Sequence, residues 1–296
     1  MLYFLRNIKI IFDSYIELIK PNIIFANLLS TTVGYFFSFD EYFELIKFFF
    51  LTIGLFFIIS GSCVLNNILD KEIDAKMSRT KNRALVKGNI SVIHAYIYAF
   101  FLFACGTFFL LSHCDLIVYL AALFASFVYV IVYTLILKRR SKYSIIFGSI
   151  SGACPILIGY LANNNYYSIR GLVLFCIFYV WQIPHSYSIS LLHLKDYKKA
   201  KIPVFPAVSE LKETIENMYF YVNLLMMLTI FFGLINLFSY FYYVIFFSLG
   251  FFWLYSINQG YLEYLKKTEW SFKIFKISIF YVLCLDFFII FNRFIF

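Results

Sequence analysis

Nine long apolar runs dominate this chain of 296 residues and leave it little choice of medium. They lie at about 22–38, 45–69, 92–111, 116–137, 144–162, 169–192, 218–238, 240–257 and 274–292, each close to the roughly 17–25 residues that carry an α-helix across a hydrocarbon core. In lipid every backbone N–H and C=O must find its partner inside the protein, so runs of this length fold as helices. Composition agrees, at 62% hydrophobic and 14% charged, where an average soluble domain is about 25% charged. The short break near residue 239 predicts a helical hairpin between the seventh and eighth runs. The expected fold is an all-α integral membrane protein, a bundle of about nine transmembrane helices, with residues 1–296 forming a single domain.

Basic residues orient such a bundle, because lysine and arginine are retained on the cytoplasmic side. Nine spans with an inside N-terminus place Arg6, Lys9, Lys20, Lys71, Lys76, Arg79, Lys81, Arg83 and Lys87 on that side. Lys138, Arg139, Arg140, Lys142, Lys195, Lys198, Lys199, Lys201, Lys212, Lys266, Lys267, Lys273 and Lys276 join them. Of the 25 basic residues, Lys47, Arg170 and Arg293 are left outside. A different helix count would scramble this segregation. The pattern is that of a multi-pass protein of a bacterial inner (cytoplasmic) membrane with its N-terminus in the cytoplasm. The net charge of +9 is spread over membrane-flanking loops, which suits anionic lipid headgroups or an anionic substrate and not nucleic acid. The first apolar stretch lacks a small-residue cleavage site and reads as a retained helix. The six cysteines show no C-x-x-C spacing and fall mainly within apolar runs, as small packing residues do.

Two inside loops carry acids. Asp70 opens the loop at 70–91 and Asp196 the loop at 193–217, each after a helix that leaves the membrane inward, a hint of internal two-fold duplication. Asn66, Asp70 and Asp74 are four apart and share one face if their helix continues. Carboxylates on a membrane boundary among arginines and lysines suit a diphosphate bound through Mg²⁺, a hard ion that takes one or two carboxylates together with substrate phosphates. Arg79, Lys81, Arg83, Lys138 and Arg139 are placed to neutralise the phosphates. The bland alternative is a solvated loop whose charges pair at i, i+4. It leaves Asn66 unexplained, since an unsatisfied amide inside an apolar run costs several kcal/mol.

The stretch NNILDKEIDAKMSRTKNRALVKG, from Asn66 to Gly88, resembles the first aspartate-rich motif of the UbiA-type intramembrane prenyltransferases, N-x-x-x-D-x-x-x-D. It is most similar to the heme-farnesylating branch of that family, where the pattern continues as D-x-x-M-x-R-T-x-x-R-P-L. Asp74, Met77, Arg79, Thr80, Arg83 and Leu85 fill those places, and Ala84 replaces the proline. YTLILKRR, from Tyr133, is similar to the branch's Y-T-x-x-L-K-R, and WQIPHSYSIS, from Trp181, to its W-x-x-P-H-F, with Ser186 in place of the aromatic. KDYKKAKIPVFP, from Lys195 to Pro206, resembles D-D-Y-x-x-A-G-I-P-M-L-P, with Lys195 in place of an acid and Lys201 in place of glycine.

The resemblance implies transfer of a farnesyl group from farnesyl diphosphate to a vinyl group of heme B, with addition of water, giving heme O and diphosphate. It further implies catalysis at Asn66, Asp70, Asp74 and Asp196, with Mg²⁺ on Asp70, Asp74 and Asp196. Lys71, Arg79, Arg83, Lys138 and Arg139 would contact the diphosphate, and Tyr133, Tyr197 and His185 would line the substrate site. For His185 two readings stay open: a ligand or positioner for heme, or a packing residue beside the helix-breaking Pro184. A functional link to a terminal oxidase or to heme A synthesis is implied, while oligomeric state is not. The alternatives are the same chemistry on an aromatic quinone precursor, a transporter, or a structural subunit of a respiratory complex. A transporter would place its acids near the bilayer midplane, whereas these stand at its edge. A structural subunit has no need of aligned acids.

Overall fold

A computed structural model describes residues 2–38, 43–163, 168–262 and 267–295, and among them every regular element is helical. Lys266 lies outside the described residues. In chain order the helices are α1 (Leu2–Ile19), α2 (Pro21–Ser38), α3 (Leu45–Asp74), the short α4 (Ala84–Lys87), α5 (Val92–His113) and α6 (Leu116–Phe127). The last of these continues without a break as a π-helix over Val128–Leu137. There follow α7 (Ser144–Leu161), α8 (Ile169–Leu192), the short α9 (Leu194–Lys199) and α10 (Phe205–Val208), α11 (Leu211–Ile235), α12 (Tyr240–Asn258) and α13 (Lys267–Ile295).

Among the described residues eight helices are long and apolar enough to cross a membrane: α3, α5, α6 with its π extension, α7, α8, α11, α12 and α13. The protein is therefore an integral, multi-pass membrane protein. The remaining expected span, at 22–38, is α2. Asn22, Asn27, Ser30, Thr31 and Thr32 make it more polar than the others. Four of these side chains are satisfied within the helix, where Asn27, Ser30, Thr31 and Thr32 donate to the carbonyls four residues back. A helix so self-contained can stand inside a bundle without stranding polar atoms. Outward-facing side chains such as Phe25, Phe100 and Phe287 are exposed, as a lipid-contacting surface requires. The hairpin expected near residue 239 is the α11–α12 turn, tight enough that Leu237 takes the left-handed backbone region at φ 54°.

The helices form a ring that closes where α13 packs on both α8 and α2. The backbones of α2 and α7 approach each other closely. A Cβ on Gly34 would lie 2.0 Å from the carbonyl oxygen of Ile156, and one on Gly159 would lie 2.0 Å from that of Thr31. The two glycines thus let each backbone sit in the groove of the other, the small-residue contact that replaces hydrophobic driving force between helices in lipid. Gly159→Ala should push α2 off α7 and destabilise the purified protein by about 1–3 kcal/mol. A lowered thermal midpoint in detergent would show this, and an unchanged midpoint would mean that the crossing is not tight.

Candidate active site

At one end of the ring, α3 overruns its apolar stretch and carries Asn66, Asp70 and Asp74 on one inward face, all three buried. The Asn66 amide donates to Asp70 Oδ2 at 2.9 Å and to Thr134 Oγ1 at 2.9 Å. The carbonyl oxygen of the same amide accepts from Lys20 Nζ. Asp70 Oδ2 is paired with Lys138, whose ammonium also stands 5.9 Å from the Tyr133 ring centroid. Asp74 is paired with Arg83 at 2.5 Å. The other oxygen of Asp70, Oδ1, is buried and has no protein partner. A carboxylate oxygen left open amid three cations is an oxygen donor awaiting a ligand, and a hard divalent ion suits it.

Two backbone devices assemble this cluster. The first is the π-helix at the end of α6. In an α-helix nine residues make two and a half turns at 3.6 residues per turn, so Lys138 would face away from Tyr129. The wider π winding, with Thr134 Oγ1 on the Tyr129 carbonyl at 2.8 Å and Lys138 N on that of Tyr133 at 2.8 Å, lets Tyr129, Tyr133, Thr134 and Lys138 serve one site. The second device is Lys20, at φ 56° between α1 and α2 and just before Pro21. Asn67 Nδ2 holds the end of α1 through the Leu18 carbonyl at 2.8 Å, which aims Lys20 at Asn66. Burial lowers the Lys20 ammonium to about 8, and the nearby Arg83 and Lys138 act in the same direction while Asp70 opposes them. Burial alone would lower Lys138 too, but Asp70 outweighs it and holds that ammonium above its ordinary value.

The two acid-bearing loops interlock. Asp196 on α9 accepts from the Ser78 amide at 2.9 Å and the Arg79 amide at 3.2 Å, so the second loop pins the first. Partial burial raises the Asp196 carboxyl, but the bonds from Ser78 and Arg79 win and leave it below the ordinary carboxyl value. Beyond α9, Lys201 takes the left-handed region at φ 55°. That explains why the motif it departs from has glycine there.

Behind the charged cluster lies a mostly apolar cavity of about 700 Å³ between α2, α3, α6, α7, α8 and α13. Tyr133, Tyr197 and His185 border it. Glycines make room in its wall: a Cβ on Gly148 would meet the Tyr133 ring at 2.8 Å, and one on Gly152 would strike Gln182. Arg139 donates to the Leu69 carbonyl at 2.5 Å, Lys71 is half-buried beside Asp70, and Arg79 is exposed on the loop. The structure thus gathers Asn66, Asp70, Asp74, Arg83 and Lys138, with Tyr133 beside them. It does not gather the three aspartates as one metal shell: among the described residues no group of three or more His, Cys, Asp and Glu could hold a metal ion. Asp196 instead binds the Ser78 and Arg79 backbone amides, one with each oxygen.

Two charged residues of the cavity or cluster are missing from the sequence-based site. Lys20 reads only as one more boundary lysine, since its reach depends on the α1–α2 bend. Asp286 on α13 is buried, borders the cavity and leaves Oδ1 unpartnered. An acid inside the apolar run 274–292 is the signal that could have found it.

This fold and site define a class. Residues 27–280 match the UbiA prenyltransferase family, and the chain belongs to that family, an enzyme class of prenyl transfer. Among its relatives, the protoheme IX farnesyltransferase of Baumannia cicadellinicola is 38% identical over 269 residues, 90% of this chain and 92% of that one. The protoheme IX farnesyltransferase of Blochmanniella pennsylvanica is 39% identical over 274 residues, 92% and 93% of the two chains. Two solved structures share the fold. A digeranylgeranylglyceryl phosphate synthase has a TM-score of 0.78 at 19% identity, covering 96% of this chain and 98% of that one. A UbiA homologue from Archaeoglobus fulgidus bound to GPP and Mg²⁺ has a TM-score of 0.71 at 16% identity, covering 94% and 99%.

Lys201→Gly should relieve the left-handed strain and stabilise the protein by about 1 kcal/mol, read as a raised thermal midpoint; a fall would show that the lysine side chain makes a compensating contact. The Asp196 anchor carries the opposite pH signature to a basic group. A carboxyl lowered by folding contributes fully above its unfolded value and is lost as pH falls through the folded one. Hydrogen exchange at the Ser78 and Arg79 amides should stay slow until the pH is below the ordinary carboxyl range. Asp196→Ala should remove that protection at every pH.

Proposed function

We propose that this chain transfers the farnesyl group of farnesyl diphosphate to a vinyl group of heme B, with addition of water, giving heme O and diphosphate. The observation that carries the proposal is the junction of a lysine- and arginine-bound carboxylate cluster, with one Asp70 oxygen open, and a cavity large and apolar enough for a prenyl chain beside a flat ring. The names of the relatives support the same acceptor. One intramembrane domain spanning residues 1–296 would do this in the bacterial inner membrane with its charged end in the cytoplasm, where soluble diphosphate is released. Its product would feed heme A synthesis or a terminal oxidase.

The residues divide the work by chemistry. Asp70 and Asp74 would hold Mg²⁺, and the Archaeoglobus fulgidus homologue bound to GPP and Mg²⁺ supports a magnesium-dependent reaction. The ion, when bound, supplies neutralising charge to the departing diphosphate. Lys20, Arg83 and Lys138 add fixed positive charge there, with Lys71, Arg79 and Arg139 at the rim, so that the bond from farnesyl C1 to oxygen breaks with its electron pair on phosphate. Asn66 keeps Asp70 and Lys20 in register through its two polar atoms. Asp196 fixes the loop that carries Arg79 and Arg83, and would join the ion through a lone pair that its two amide bonds leave free. Tyr133 and Tyr197 wall the region where the terminal vinyl carbon bonds to C1, His185 positions the heme, and water bonds to the inner vinyl carbon and gives up a proton.

Asp70→Ala and Asp74→Ala should each lower diphosphate release by about 100-fold or more, the scale for losing one electrostatic contact to a transition state, with helix content unchanged. Normal turnover by a folded variant would remove that aspartate from the site. The decisive assay is turnover in lipid with Mg²⁺, heme B and farnesyl diphosphate, read by the mass of the extracted heme. A gain of one farnesyl group plus one water supports the proposal. Prenylation of an aromatic acid without any heme adduct would keep the diphosphate site and overturn the acceptor.

A further inference from the structure

His185 is held more closely than a packing residue needs to be. Its ring lies between Trp181, with centroids 4.7 Å apart and planes at 23°, and Phe275, with centroids 5.2 Å apart. Its Nδ1 is 2.7 Å from the hydroxyl of Ser278 on α13. Ser278 is fully buried, and its carbonyl accepts the Trp181 indole N–H at 2.7 Å, so α13 is tied to two successive turns of α8 at one point.

The proton on the imidazole can be placed from these contacts. Ser278 Oγ is also 2.6 Å from the carbonyl oxygen of Phe275. A carbonyl only accepts, and the serine has one hydroxyl proton. If that proton goes to Phe275, Ser278 Oγ is left to accept, and Nδ1 of His185 must carry the proton it donates. The reverse arrangement would leave the 2.6 Å contact between Ser278 Oγ and the Phe275 carbonyl oxygen without a proton, at a cost of about 1–3 kcal/mol. Nδ1 is therefore N–H and Nε2, the nitrogen left to the cavity that His185 borders, holds an unshared electron pair.

We infer that Ser278 is a positioning residue that fixes His185 as its Nδ1–H tautomer and so presents the Nε2 lone pair to the iron of a heme substrate in the cavity. This rests on the proposed heme acceptor. The logic is that of metal-binding histidines generally, in which a hydrogen bond at one ring nitrogen sets the orientation and basicity of the other. Trp181 and Phe275 prevent the ring from flipping, and the Phe275 carbonyl orients the hydroxyl that orients the ring. The chain of contacts runs from the α13 backbone to the cavity without using any group of the diphosphate cluster.

The test uses full-length protein in lipid nanodiscs, labelled with ¹⁵N at its four histidines, with His185→Ala to assign the signals. Wild type should show His185 with a protonated Nδ1 and an unprotonated Nε2, and Ser278→Ala should give a mixture of tautomers; an Nε2–H wild type would overturn the inference. Titration with heme B should then give a histidine-ligated absorption and EPR spectrum that is lost in His185→Ala. Ser278→Ala should weaken heme binding by about tenfold, and Ser278→Thr, which keeps the hydroxyl, should restore both tautomer and affinity. Equal heme spectra and affinity in wild type and Ser278→Ala would overturn the inference even if heme is bound through His185. A wild type that binds no heme yet prenylates an aromatic acid would overturn the acceptor instead, while the tautomer measurement would still report on the Ser278 contact.

Discussion

The hydrogen bonds of a single buried amide hold the reactive end of this bundle together. Asn66 donates to Asp70 and Thr134 and accepts from Lys20, joining the α1–α2 bend, α3 and the π-helix at one point. Lipid on the other side of those helices makes the arrangement unforgiving, because a polar atom that loses its partner there has no water to turn to. The same constraint explains the self-bonded hydroxyls of α2 and the buried anchor of Asn67 on Leu18. Polar chemistry at a membrane boundary is possible because the helices that approach it arrive with most of their polar side chains already satisfied.

The exceptions show where the site is poised. Lys20, Arg83 and Lys138 surround Asp70 and Asp74, so cations outnumber carboxylates in the buried cluster. Buried ion pairs are poor sources of stability, since desolvation offsets much of their attraction. A cluster with surplus positive charge and an unpartnered carboxylate oxygen is worse still as a structural element. Its composition makes sense for a polyanion that arrives with a divalent cation: the phosphates take the lysines and arginines, and the metal takes the open oxygen. Lys20, whose ammonium burial has weakened, is the group that gains most from such an arrival.

The sequence shows these features unequally. Span positions follow from apolar length alone, and Asn66, Asp70 and Asp74 follow from a four-residue spacing on a helix that outlasts its apolar run. The meeting of Asp196 with Ser78 and Arg79 was legible only as two acid-bearing loops on the same side. That the carboxylate would bind the Ser78 and Arg79 amides depends on loop geometry that no spacing encodes. The π-helix was hidden for a related reason: Val128–Leu137 reads as an ordinary apolar helix, and only the bond pattern at Tyr129, Tyr133, Thr134 and Lys138 reveals its winding. Lys201 shows the converse, since its departure from a glycine position was visible in the sequence while its meaning needed the backbone angle.

The two ends of the site are built on different principles, and the difference follows from their ligands. In the proposed reaction the diphosphate end would use paired charged side chains from the end of α3, the loop behind it and the end of the π-helix. The cavity end uses rigid groups on long helices: His185 between two aromatic rings, Gln182 seated over Gly152, and Tyr133 over Gly148. A carbocation formed at the junction is indifferent to which double bond it meets, so selectivity must come from how firmly the acceptor is held before ionisation. Asp286, buried deeper along the same α13 face as Phe275 and Val282, extends that rigid wall with a polar group. Ser278 lies between them, so in the proposed reaction α13, which brings no residue to the charged cluster, would shape how the acceptor is held and not how the prenyl group is activated.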